Sequence, residues 1–254
     1  MIRRTFLFLD RISNRTEQNI WDQGIDDWED FIKAKKVKGI GTKVKPHHNR
    51  KLMDARKQLY SFNSAYFSQL LPQSEHWRLY EFFKEECCFI DIETSTVQSD
   101  GYITIVSLYN GIETKTMVRN INLDFGKLKQ ELKNYKMIVS FNGSVFDMPF
   151  LEKQYPGILP AIPHFDLRHA CQRLGLKGGL KQIEKTLGLR ERNKVIERIY
   201  NGDPLKLWRM YLGSGDRYYL HLLVEYNEED VINLKPIADY LYYNMKQRML
   251  LGYQ

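Results

Sequence analysis

Cys87-Cys88-Phe89-Ile90-Asp91-Ile92-Glu93 is the stretch that decides how this chain is read. Four apolar residues followed by an acid, isoleucine, acid alternation have the pattern of a buried strand that carries carboxylates at its end. Successive side chains on a strand leave on opposite faces, so Asp91 and Glu93 emerge together while Ile90 and Ile92 point the other way. Carboxylates at the end of a buried strand are costly unless they are paired, so the two acids call for a cation. Asp-x-Glu alone is a weak signal in a chain with 31 acidic residues.

Downstream of this strand the period remains that of a sheet through Tyr102 to Tyr109 and Glu113 to Val118. Asp100-Gly101 and Asn110-Gly111 punctuate these runs as turns, which predicts a three-stranded antiparallel meander. There follow a helix around 124–134, a short buried strand from Met137 to Phe141, a helix from near Phe146 towards Gln154 and a strand near His164–Leu167. Helices at about 168–174, 179–187 and 203–212 and a long helix over roughly 217–249 complete the chain. Strands first in a meander and then alternating with helices predict an α/β fold, a mixed sheet flanked by helices on both sides.

Upstream of residue 85 the pattern is helical. Ile20, Trp21, Ile25, Trp28, Phe31 and Ile32 recur at helical spacing over 16–34, interrupted at Gly24, and 49–70 and 74–84 also read as helices around Pro72. The chain is therefore divided into a small N-terminal helical module, 1–84, and a larger domain, 85–254.

With 43% hydrophobic and 27% charged residues, composition excludes both a disordered and a membrane class. The apolar run Phe6-Leu7-Phe8-Leu9 is too short for a signal-peptide core or a spanning helix, so a cytoplasmic protein is expected. Cys87, Cys88 and Cys171 lack metal-ligand spacing and read as core thiols. The net charge of +7 is confined to one place: Lys33 to Lys57 holds 10 basic residues and one acid, and the remainder has 28 basic and 30 acidic residues. A charge run is usually a solvated face, but a surplus concentrated in this way is what contact with a polyanion needs.

Two further elements carry acids. In Asn142-Gly143-Ser144-Val145-Phe146-Asp147 the chain leaves an apolar strand at the carboxyl edge of the sheet, where open α/β sheets bind ligands. Asp147 would sit at the start of the next helix, where it equally serves to support that N-terminus. In Tyr226-Asn227-Glu228-Glu229-Asp230 the i, i+4 spacing stacks Tyr226 and Asp230 on one helix face, a pattern that an ordinary amphipathic helix also produces.

Asp91-Ile92-Glu93, Asn142-x₃-Phe146-Asp147 and Tyr226-x₃-Asp230 together resemble, in order and spacing, the three motifs of the DnaQ-like DEDD exonucleases, in the subgroup whose third motif carries tyrosine. Trp77-Arg78-Leu79-Tyr80-Glu81-Phe82, His164-Phe165-Asp166-Leu167-Arg168 and Gly179-Leu180-Lys181-Gln182-Ile183-Glu184 extend the resemblance to the YprB-type predicted exonucleases over nearly the whole chain. The resemblance implies a ribonuclease-H-like fold and 3′→5′ exonucleolytic hydrolysis of phosphodiester bonds with two Mg²⁺ or Mn²⁺ ions, in DNA repair or replication. It makes Asp91, Glu93, Asp147 and Asp230 the metal ligands and Tyr226 the residue that orients the attacking water. Hard divalent ions prefer oxygen ligands, which suits four carboxylates. Asn142 and Thr94 are expected at the terminal nucleotide, and Asp166 either backs the ligands or holds a buried structural place. Lys181, on a predicted helix, is either a phosphate contact or a solvated surface lysine, and the second reading is favoured.

Leu9 to Ile25 looks like a degenerate helix-hairpin-helix in which Arg11 and Ser13 stand where glycines are usual. Gly39-Ile40-Gly41, flanked by Lys38 and Lys43, would present amide groups to phosphate or form a simple turn. The expected partner is nucleic acid, DNA before RNA, and no membrane. Two other readings use the same motifs: a catalytically inactive nucleic-acid-binding protein on a nuclease fold, and a ribonuclease-H-like endonuclease.

Overall fold

The computed structural model describes residues 1–96, 101–189 and 203–251. Among the described residues five strands form one mixed sheet: β1 (Cys87–Thr94), β2 (Ile103–Tyr109), β3 (Thr114–Val118), β4 (Met137–Ser140) and β5 (His164–Asp166), in the order β3-β2-β1-β4-β5. The first three strands are the expected antiparallel meander, and β4 and β5 join β1 in parallel. Asn110-Gly111 turns as expected: Gly111 has φ +96, and the Asn110 side chain accepts from the amides of Ile112 and Glu113. Asp100 of the other expected turn lies outside the described residues.

The alternation in β1 sorts its residues onto two faces. Cys88, Ile90 and Ile92 join a core with Leu128 and Leu132 of a helix over Phe125–Leu132 and with Met148, Phe150 and Leu151 of a helix over Asp147–Gln154. Cys87 and Phe89 face the opposite way, into a core with Val231, Leu234, Ile237 and Leu241 of the final helix, Arg217–Leu250. The acids at 91 and 93 continue this second face, so the same helix that buries Phe89 passes over them. All three cysteines are free and buried, as expected for core thiols.

The N-terminal residues form short helices: α1 (Asn14–Trp21), α2 (Trp28–Lys33), α3 (Lys45–Tyr60) and α4 (Ser64–Leu70). Gly24, at φ +75, separates the first two where the interruption was expected. The stretch read as one helix over 49–70 is two, because Phe62 adopts φ +56 between them. The first of these begins earlier than its apolar pattern, with Pro46 in its first turn, where a missing N–H has no consequence. Residues 73–79 are 3₁₀ rather than α-helical. In the stretch compared with a helix-hairpin-helix, Arg11 takes φ +60 and Ser13 caps α1 by accepting from the Thr16 amide.

One apolar cluster runs from Ile2, Phe6 and Trp28 through Phe83 and Phe89 to Met245. A buried ion network lies within the N-terminal residues, where Arg78 donates to Glu17 at 2.9 Å and to Glu75 at 2.6 Å and Glu17 also accepts from the Thr5 hydroxyl and the Phe6 amide; Arg173 of the larger domain joins it by donating to Glu75 at 3.0 Å. Among the described residues no helix is long and apolar enough to cross a membrane.

Candidate functional site

Asp91 and Glu93 stand on the exposed-end half of β1, each partly accessible between the buried Ile90, Ile92 and Thr94. The ladder with β2 pairs Asp91 with Ser107 and Glu93 with Ile105, and its register shifts between Glu93 and Thr94, so the acids sit where regular pairing ends. The final helix brings Asp230 onto this strand end. One carboxylate oxygen from each of Asp91, Glu93 and Asp230 lies within 4.8 Å of the others. The helix contributes three neighbours from one turn: Asp230, the buried Tyr226 and Asn227, which is fully buried. Asn227 Nδ2 donates to Asp91 Oδ2 at 2.6 Å, and its Oδ1 is a buried acceptor with no hydrogen-bond partner among the described residues. Sequence reasoning passed over Asn227, although its place between Tyr226 and Asp230 was a signal that it lies near that face.

Asp147 is in the same neighbourhood but outside that group of three. Its Oδ1 accepts from the Ile92 amide at 3.1 Å, which ties the helix after β4 to the acidic strand. Burial pushes its carboxyl up to about 7, with the Ile92 hydrogen bond opposing and the charges of Asp166 and Asp230 reinforcing the rise. Gly143 makes the approach feasible: a Cβ there would collide with Ser140 Oγ and lie 3.4 Å from Asp147 Oδ2. Asn142 takes φ +66, a left-handed conformation that asparagine tolerates better than most residues, and its amide donates to Asp166 Oδ1 at 2.8 Å. Asp166 also accepts from the Ser144 amide and hydroxyl and from the Arg168 amide. It therefore braces the 142–144 loop and caps the following helix, the structural alternative raised for it. These hydrogen bonds hold its carboxyl below the ordinary range against the effect of burial.

Thr94 is buried at the end of β1 with its hydroxyl on the Thr96 carbonyl at 2.7 Å. Lys181 is not simply a solvated lysine: its Nζ lies 4.8 Å from the centroid of the Tyr226 ring, a cation–π contact beside the acids. Lys38 and Lys43 are exposed on the hairpin between α2 and α3, in the N-terminal module and not in the acidic group. That hairpin is held by Gln23, whose side chain accepts from the Lys38 amide at 2.7 Å and donates to its carbonyl at 3.2 Å.

The donor set is oxygen-only, three carboxylates converging at close range, with a buried amide oxygen left over beside them. Hard divalent cations such as Mg²⁺ and Mn²⁺ take this kind of ligand, so the residues fit the implied metal. Without a cation the three charges oppose one another.

A mixed sheet with helices on both faces and carboxylates gathered at the end of its first strand is the layout of a ribonuclease-H-like fold. The family model of the RNase_H superfamily matches residues 88–242, more than half of the chain, and the chain belongs to that superfamily. No curated protein matches it. Among solved structures it is similar to the family B DNA polymerase from the hyperthermophilic archaeon Pyrobaculum calidifontis, with 15% sequence identity and a TM-score of 0.47 over 61% of this chain and 24% of that one. This chain thus spans about a quarter of that polymerase's length, and the likeness carries nothing about activity.

Proposed function

We propose that this protein is a metal-dependent 3′→5′ exonuclease that hydrolyses phosphodiester bonds of nucleic acid, with single-stranded DNA as the favoured substrate and RNA as the alternative. The observation that carries the reading is the convergence of Asp91, Glu93 and Asp230 within 4.8 Å at the sheet end of an RNase_H superfamily member. The direction of hydrolysis comes from the resemblance of Tyr226-x₃-Asp230 to the tyrosine subgroup of DnaQ-like exonucleases, with YprB-type proteins as the subgroup of choice and DNA repair or replication as the setting. Residues 1–84 serve as the nucleic-acid-binding module and 85–254 as the hydrolytic domain.

Asp91, Glu93 and Asp230 would hold one Mg²⁺ or Mn²⁺, and Asp91 with Asp147 a second. When bound, such ions make water a stronger nucleophile and neutralise charge on the phosphate and leaving oxygen. Asn227 holds Asp91 in one rotamer through its 2.6 Å hydrogen bond, so that the second oxygen of that carboxylate keeps a fixed direction. Tyr226, with a phenol whose ordinary pKa is about 10, orients water through its hydroxyl and does not take its proton unaided. Lys181, against the Tyr226 ring, adds positive charge where a scissile phosphate would lie. Asn142 and Thr94 border the place of the terminal nucleotide, the first by its left-handed turn and the second at the end of β1.

The test incubates full-length protein and the Asp91→Asn variant with Mg²⁺ or Mn²⁺ and 5′-labelled single-stranded DNA, duplex DNA and RNA. A ladder that shortens from the 3′ end with the wild type alone is the expected result. Discrete internal fragments would instead identify an endonuclease, and bound but intact strands a binding protein without hydrolysis.

A further inference from the structure

The N-terminal module carries a second feature, on the outer side of α3. Its inner face, Leu52, Ala55 and Leu59, is wholly buried. Its outer face is a stripe at three- and four-residue spacing, His47, Arg50, Met53, Lys57 and Tyr60, all exposed. Lys51 and His47 pair with Asp10 and Arg56 pairs with Glu29, whereas Arg50 and Lys57 form no ion pair with any described residue. Asp54, the acid on this face, lies against the Tyr66 hydroxyl.

The stripe ends in an aromatic corner. Tyr60 is 56% exposed and Phe62 43% exposed, and both rings rest on Phe82, with centroids at 6.1 Å and 5.5 Å. Phe62 is held at φ +56, a backbone region that a bulky side chain rarely occupies, and there its ring lies against Phe82 and Phe83. Arg3 Nη1 donates to the Tyr60 hydroxyl at 3.2 Å, which adds a guanidinium to the corner.

Unpaired cations along a rigid helix that lead to solvent-facing rings are the two components of sequence-tolerant single-strand binding: charge for the phosphates and flat surfaces for unstacked bases. A duplex, whose bases are already stacked, has no use for the rings. With 16 residues, α3 is about 24 Å long. That length suits a strand of about 4 nucleotides, the lower end of such sites.

We propose that the outer face of α3 and the Tyr60–Phe62 corner form a docking track for single-stranded nucleic acid, with phosphates along Arg50 and Lys57 and bases stacked on Tyr60 and Phe62. The inference rests on the hydrolase reading and deepens it, because it names the surface, outside the group of carboxylates, that holds the single strand.

The experiment measures fluorescence anisotropy of a 5′-labelled 12-nucleotide oligothymidylate and of its duplex with oligodeoxyadenylate, in EDTA, with the full-length protein. Variants are Tyr60→Ala, Phe62→Gly and Arg50→Glu/Lys57→Glu. Glycine accepts the left-handed backbone at position 62, so that variant removes the ring without strain. Each ring deletion is expected to raise Kd for the single strand roughly tenfold. The double charge reversal is expected to lower the slope of log Kd against log salt by about 1.4, for two phosphate contacts on a single strand. Unchanged affinity for the single strand in all three variants at wild-type melting temperature would overturn the proposal, as would tighter binding of duplex that ignores both rings. A protein that binds strands through these residues yet hydrolyses none would leave the track standing and remove the exonuclease reading instead.

Discussion

Replacement of Asn227 by leucine separates the role of this buried amide from simple packing. Leucine copies the branching of the fully buried asparagine side chain, although its two methyl groups are bulkier than the carboxamide, and the variant loses the 2.6 Å hydrogen bond to Asp91 Oδ2. A hydrogen bond to a charged group contributes about 1.5–3 kcal/mol. For a chain of this size that corresponds to a melting temperature lower by roughly 3–10 °C in EDTA. The larger effect falls on the site, because loss of a group that orients a metal ligand typically weakens metal affinity about 10–100-fold. The assay is the rate of hydrolysis of a labelled strand as Mg²⁺ is titrated. The half-maximal Mg²⁺ concentration is expected to rise by that factor, with most of the rate recovered at saturation. An unshifted Mg²⁺ midpoint with a normal rate would refute the idea that Asn227 acts through Asp91.

Asp91→Asn removes one of three converging charges, so in EDTA its melting temperature should equal or exceed that of the wild type, while Mg²⁺ should stabilise the wild type alone; hydrolysis should fall by more than about a hundredfold. A Mg²⁺-induced rise of equal size in both proteins would dismiss the shared metal site. His164 is partly buried, with Nε2 2.8 Å from Ser140 Oγ, and desolvation lowers its pKa to about 4, with Asp166 opposing. Its unfolded value is about 6.5, so its contribution is complete above that pH and is lost as pH falls towards about 4, on the order of 3 kcal/mol in all. Urea unfolding between pH 7.5 and 4.5 should therefore show a shallower decline for His164→Asn than for the wild type. His76, also lowered by burial, should keep some slope in that variant. Arg78→Met leaves the buried Glu17 without a cation and Glu75 with Arg173 alone, and should destabilise the protein by about 3–5 kcal/mol, measured from the urea midpoint. A loss below about 1 kcal/mol, the size of an exposed pair, would mean that burial of this network adds nothing to its strength.

Much of this architecture was legible because its causes are local. The change from helical to alternating period at Cys87, the Asn110-Gly111 turn and the i, i+4 pairing of Tyr226 with Asp230 each depend on a few neighbouring residues. Boundaries in the N-terminal part were harder: the polar first turn of α3, Lys45-Pro46-His47-His48, shows no apolar period, and nothing nearby in sequence announces the left-handed Phe62 that ends the run. Asp147 was legible as a residue of interest, but its hydrogen bond to the Ile92 amide was not, since the two residues are 55 apart in the chain with β2, β3, a helix and β4 between them.

By itself the sequence determined that a buried strand ends in two carboxylates, that a mixed sheet with helices on both sides follows, and that the positive surplus lies between Lys33 and Lys57. Only the tertiary structure decided that Asp230 meets Asp91 and Glu93 while Asp147 turns to the β1 backbone, that Asn227 holds Asp91, and that Lys181 lies over Tyr226. Side-chain period is set by neighbours a few residues away. Which side chains converge depends on how the final helix seats against Phe89 and the rest of the shared core, a consequence of packing between segments far apart in the chain.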